Sequence, residues 1–116
     1  MTIVKSEPTK KRMEMPSVLV VGDALATAEF EERLVPFPVL HADDLGQATE
    51  QLMSSAPFVV IVGGPNAKEI GQGLVDAARA MVSEVVFLAE LGGVESAVAK
   101  VERLMVQIED RRRGRR

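Results

Sequence analysis

Two unbroken apolar runs constrain this chain more than any other feature. Residues 17–21 (SVLVV) and 58–62 (FVVIV) are rich in β-branched side chains and carry no polar alternation. A strand with one solvated face alternates, whereas one without alternation is buried on both sides. Two such strands need an apolar layer above and another below. Only amphipathic helices can supply both layers within the 116 residues of this chain. That length suits one compact domain and falls short of two.

The sequence around these runs supplies the helices. After Gly22 and Asp23, residues 24–34 are rich in Ala, Glu and Leu; the pattern predicts a helix with Asp23 as N-cap and Leu25, Ala28 and Phe30 on its inner face. Residues 37–40 read as a shorter strand, with Pro36 and Pro38 suited to its start or to a sheet edge. Residues 44–54 read as a second helix carrying Leu45, Ala48 and Leu52 at helical spacing. Beyond the second apolar run, Gly63-Gly64-Pro65 turns the chain. Asn66 and Glu69 then have the spacing of a capping box for a helix reaching Met81, which Gly71 and Gly73 either loosen or pack closely. Residues 85–88 read as a fourth strand and residues 94–110 as a last helix. Strands alternating with helices across short Gly- and Pro-marked turns predict a parallel sheet with helices on both faces. Placing the two most apolar strands at the centre gives the order 2-1-3-4, a flavodoxin-like three-layer α/β/α fold less its fifth strand.

Charge divides the chain in three. Residues 16–110 hold fifteen acidic against five basic side chains. Residues 1–15 carry Lys5, Lys10, Lys11 and Arg12 against two acids and read as a flexible basic arm; Arg111, Arg112, Arg113, Arg115 and Arg116 read as a basic tail. Arginines without interleaved aromatics offer phosphate or lipid attraction but no sequence readout, so nucleic acid or an anionic membrane is not the favoured partner. With no Cys there is no disulfide framework or thiol nucleophile. No apolar segment resembles a secretion signal or a membrane span, so a cytoplasmic location is expected.

In open α/β sheets ligands sit outside the carboxyl ends of the strands. Here Asp23, Gly63, Gly64 and Asn66 form a candidate ligand edge, with backbone N–H groups placed for a phosphate. Turn geometry and capping account for the same residues without a ligand. Asp23, Asp43, Asp44 and Glu90 carry oxygen ligands for a cation, but Asp23 also stands where a helix cap belongs, and Asp43 or Asp44 where the second helix starts. His41 has no nucleophile placed to partner it, so no catalytic constellation, metal site or cofactor is expected. In the last helix, Val94, Ala97, Val98, Val101, Leu104, Met105 and Ile108 follow a 3-4 spacing. The stripe serves either the core or an association face, with Val94, Val98, Val101, Leu104, Met105 and Ile108 as anchors of a homodimer or partner contact.

From Pro16 to about Gln107 the chain resembles a receiver domain, the phospho-acceptor domain of bacterial response regulators. The likeness rests on residues 18–24 (VLVVGDA), 42–52 (ADDLGQATEQL), 57–65 (PFVVIVGGP) and 85–90 (VVFLAE), in that order. Carried over by position, the family's acidic pair becomes Gly22-Asp23, its phospho-acceptor Asp becomes Gly63 and its Ser/Thr becomes Ala89. No fifth strand precedes the last helix, so the family's Lys has no counterpart. The resemblance therefore implies a pseudo-receiver without aspartyl-phosphate chemistry: a non-enzymatic protein-interaction module, adaptor or scaffold in bacterial signalling or cell organisation. The alternatives are a small-molecule or nucleotide sensor using the sheet edge, and charge-driven binding by the tails.

Overall fold

The computed structural model describes residues 16–114; the basic arm at 1–15, together with Arg115 and Arg116, lies outside the described residues. Four strands, β1 (Val18–Val21), β2 (Val39–Ala42), β3 (Val59–Val62) and β4 (Glu84–Phe87), form one sheet in the order β2-β1-β3-β4. Every pairing is parallel. The helices are α1 (Ala24–Arg33), α2 (Leu45–Ser55), α3 (Ala67–Met81) and α4 (Val94–Gly114), with a 3-10 turn at Leu88–Glu90. This is the flavodoxin-like arrangement that the two apolar runs require.

All eight residues of β1 and β3 are 0% exposed. Their side chains alternate between two cores. Val18, Val20, Val59 and Ile61 meet Phe30 of α1 and Ala97, Val101, Met105 and Ile108 of α4. Leu19, Val21, Val60 and Val62 meet Ala48 and Leu52 of α2 and Ile70, Leu74 and Ala78 of α3. Burying one such aliphatic side chain contributes about 1.5–3 kcal/mol. The central pair therefore supplies much of the force that holds both helical layers.

Several local expectations are corrected. In α1, Leu25 is 81% exposed and Ala28 is also exposed; the inner face is Ala26, Thr27 and Phe30. Thr27 tolerates burial because its hydroxyl donates to the Asp23 carbonyl at 2.9 Å, a local bond that hydropathy does not register. Strand β2 begins at Val39 rather than residue 37, since the Phe37 N–H turns back to the Leu34 carbonyl at 2.8 Å. Strand β4 begins one residue early, where the Glu84 N–H reaches the Phe58 carbonyl at 3.0 Å, and Leu88 opens the 3-10 turn. Asn66 stands at the N-cap of α3 without a side-chain cap bond, so the capping box with Glu69 does not form. Gly71 and Gly73 mark close packing: a Cβ on Gly71 would lie 2.6 Å from the Phe87 ring, and one on Gly73 would lie 2.7 Å from Leu45 Cδ2.

The largest correction concerns the last helix. Val101, Met105 and Ile108 are buried, and Val98 and Leu104 are half-buried against the same core. Val94 opens the helix. From Ala97 to Ile108 the stripe that suggests an association face is thus occupied by the domain's own core, and glutamates at Val101 and Leu104 are expected to unfold the protein rather than split a dimer. The helix also continues past residue 110, so Arg111, Arg112 and Arg113 form its last turn instead of a separate tail. Positive charge suits that end of the helix dipole. Arg112 adds specific bonds: Nε donates to the Val82 carbonyl at 3.2 Å, and NH2 donates to the Ala56 and Pro57 carbonyls at 3.1 Å each. Its guanidinium lies 4.2 Å from the Phe58 ring centroid. Ala56 and Val82 are the left-handed C-caps of α2 and α3, so one side chain ties three helix ends together.

Replacing Arg112 by Met is expected to cost about 2–3 kcal/mol in urea unfolding, with Lys recovering only a minor part, because charged donors to part-buried carbonyls are lost. Gly22→Ala is expected to cost at least about 2 kcal/mol, since φ is +83° and the new Cβ would sit 2.5 Å from the Gly63 carbonyl oxygen. Gly46→Ala, in the open first turn of α2, is expected to stabilise by about 0.5–1 kcal/mol. The same unfolding series reads both signs.

Candidate functional site

The carboxyl ends of β1 and β3 meet through backbone. Gly22 and Gly64 both have φ +83°, and a Cβ on either would fall 2.5 Å from a carbonyl oxygen of the opposing loop. Only glycine permits this approach. Beside it, Gly63 is covered: a Cβ there would meet Leu88 Cδ2 at 3.0 Å and Asp23 Cβ at 3.3 Å. The two central strands therefore close on each other at their ends, and the hollows there open to either side of that junction.

The candidate ligand edge is divided accordingly. Asp23 caps α1, with Oδ1 accepting from the Ala26 N–H at 3.0 Å. It lines a hollow that it shares with Leu88, Gly92 and Gly93. Gly63 and Gly64 border a different cleft, which Asn66 does not line. Of the four residues expected to form one edge, Asp23, Gly63 and Gly64 lie side by side but border different hollows, and Asn66 lines neither.

The acidic residues have structural partners. Asp44 caps α2 by accepting from the Gln47 N–H at 2.9 Å, while Gln47 Oε1 accepts from the Asp43 N–H at 2.8 Å. The Thr27 hydroxyl, which donates to the Asp23 carbonyl, also lies 2.7 Å from His41 Nδ1, and His41 Nε2 lies 2.7 Å from Asp43 Oδ1. His41 thus pins α1 to the loop that enters α2. No group of three or more His, Cys, Asp or Glu is arranged to hold a metal ion among the described residues.

What the structure opens instead is a cleft of about 670 Å³ between α3 and β4. Val85 and Phe87 line it from the strand, Gly71, Gln72 and Val75 from the helix, and Leu88 lies at its upper end. Lys68 and Glu90 stand at the same end. The four residues of β4 beside the cleft are all half-buried. Among the described residues β4 pairs only with β3. Two signals in the sequence point here: Gly71, which marks close approach to a large side chain, and the absence of a strand after residue 90. The contributions of Val75, Gln72 and Phe87 leave no such signal, because they depend on tertiary packing.

The arginines are largely engaged. Arg111 lies 3.5 Å from Glu84, Arg113 lies 2.7 Å from Glu109, and Arg112 binds the carbonyls described above. No described helix is long and apolar enough to cross a membrane.

If Asp23 is a cap, Asp23→Ala should cost about 1 kcal/mol and Asp23→Asn only a few tenths. Thermal unfolding with and without Mg²⁺ checks this: a midpoint raised by Mg²⁺ in the wild type but not in Asp23→Asn would reverse the assignment. Comparison of the chain with protein-family models, curated proteins and solved structures returns no match.

Proposed function

We propose that this chain is a non-enzymatic protein-interaction module, a pseudo-receiver adaptor or scaffold in bacterial signalling or cell organisation, which binds its partner at the β4 edge and the adjoining cleft. One observation carries the reading: an apolar strand edge without a neighbour among the described residues, flanked by a cleft of about 670 Å³. Edge strands accept an added strand through main-chain hydrogen bonds, and neighbouring pockets take its side chains. The position expected for phosphorylation supports the same reading. It is Gly63, packed under Leu88, and the pair of loops around it is held by backbone contact between Gly22 and Gly64. A site so filled has little room for an acceptor and its phosphate. The last helix serves the core and leaves docking to the sheet edge.

The cleft also favours a second reading, a small-ligand sensor. Its volume falls in the range of ligand pockets, and an apolar floor is joined by Lys68, Gln72 and Glu90. A ligand bound only by the folded state would raise the unfolding midpoint.

Affinity capture from the source cells, comparing the wild type with a folded Val85→Pro variant, tests the leading reading. A protein retained by the wild type and lost from the variant is the expected result. Equal capture by both would end it. A midpoint that rises with one member of a nucleotide and small-anion panel, with capture unchanged, would transfer the cleft to the sensor reading.

A further inference from the structure

We infer that the occupant of the β4 edge is the β4 edge of a second copy, joined in antiparallel across a two-fold axis to make one continuous sheet. The inference rests on the interaction reading above and names its partner.

The backbone direction of β4 sets the geometry. The Glu84 N–H donates to the Phe58 carbonyl of the neighbouring segment at 3.0 Å, and β4 pairs with β3 from Glu84 to Phe87. N–H and C=O groups of one residue point to the same side of a strand, and successive residues alternate. Glu84 and Val86 therefore spend their backbone groups on β3, while Val85 and Phe87 present theirs outward. Nothing in the strand blocks pairing. It has no Pro, no Lys and no bulge, and only Glu84 is charged. The opposite edge of the sheet, by contrast, is entered through Pro36 and Pro38.

This pattern is self-complementary. With Val86 on the axis, Val85 of one copy lies opposite Phe87 of the other, and each such pair exchanges two hydrogen bonds, about four in all. Residues directly opposite share a face. Val85 and Phe87 both face α3, so the pairing lays each Phe87 beside the Val85 of the other copy and joins the two clefts. Val75, 43% exposed on the cleft wall, is then next to the seam.

An isologous interface repeats each of these contacts twice, so one operation serves both the backbone groups and the apolar floor.

Light scattering on the full chain, from about 1 μM to about 1 mM, should show the mass rising from 12.5 kDa toward twice that value. Val85→Pro removes one outward N–H while leaving the bonds to β3, and should weaken the dimer at least about tenfold; Val85→Thr, which keeps the N–H, should stay within about threefold. Hydrogen exchange on the unmodified chain supplies a readout independent of any variant. The Val85 and Phe87 amides should slow with concentration, while that of Val86 should not change. A single-chain mass at every concentration overturns the inference, as does protection of Val85 and Phe87 that is independent of concentration, the sign of an edge covered by residues 1–15. A monomer that still captures a protein through its β4 edge would remove self-pairing alone and keep the interaction module. A monomer whose capture ignores the edge would remove both.

Discussion

Everything else in this structure is arranged around the pairing of β1 with β3. Both strands are fully buried, so each needs cover on two faces, and the four helices divide two by two to provide it. The same pair dictates what happens at the carboxyl ends. In-register strands deliver Gly22 and Gly64 to within backbone contact, and their positive φ lets the loops close over each other. An open α/β sheet ordinarily offers its ligand crevice at this position. Here the junction of the two central strands is filled, and the opening lies beside it, from the Gly63-Gly64 turn outward to β4.

A second consequence follows from how the cover is completed. Helix α4 lies over β1 and β3 with Val101, Met105 and Ile108 buried, and it is long enough to reach the far end of the sheet. There Arg112 gathers the carbonyls of Ala56, Pro57 and Val82 and stacks on Phe58. The Ser83 hydroxyl donates to the same Pro57 carbonyl, so the three chain segments meet around shared acceptors. An arginine that stands in a basic run of the sequence is a fastening of the fold. Because α4 is committed to the core, no described element crosses over to shield β4. The exposed edge is thus a direct result of spending the last helix on the centre of the sheet.

Much of this architecture is legible in the residues alone. The unalternating runs make the sheet parallel and doubly covered, and Asp23 and Asp44 mark two helix starts that hold as caps. Pattern fails wherever a residue's role is set by a local bond that hydropathy does not express. Thr27 replaces Ala28 on the inner face because its hydroxyl has a carbonyl to bind. Asn66 and Glu69 have the right spacing, yet Asn66 makes no side-chain cap bond, and the turn bond from the Ala67 N–H to the Gly64 carbonyl at 3.3 Å stands beside it. The stripe on α4 is visible as periodicity, but periodicity reports an apolar face without saying what covers it.

Layer architecture, strand order and the glycine turns at the strand ends are written in the amino-acid order. They follow from short-range facts: alternation or its absence, turn residues, and which strands are most apolar. Other features exist only in the assembled molecule. Arg112 reaches residues more than fifty positions away, Leu88 fills the space over Gly63, and Phe87 lies against Gly71 to leave a cleft at its side. Each of these depends on the relative placement of elements distant in the chain. Such placement is fixed only when both cores are packed at once, and no single segment carries it.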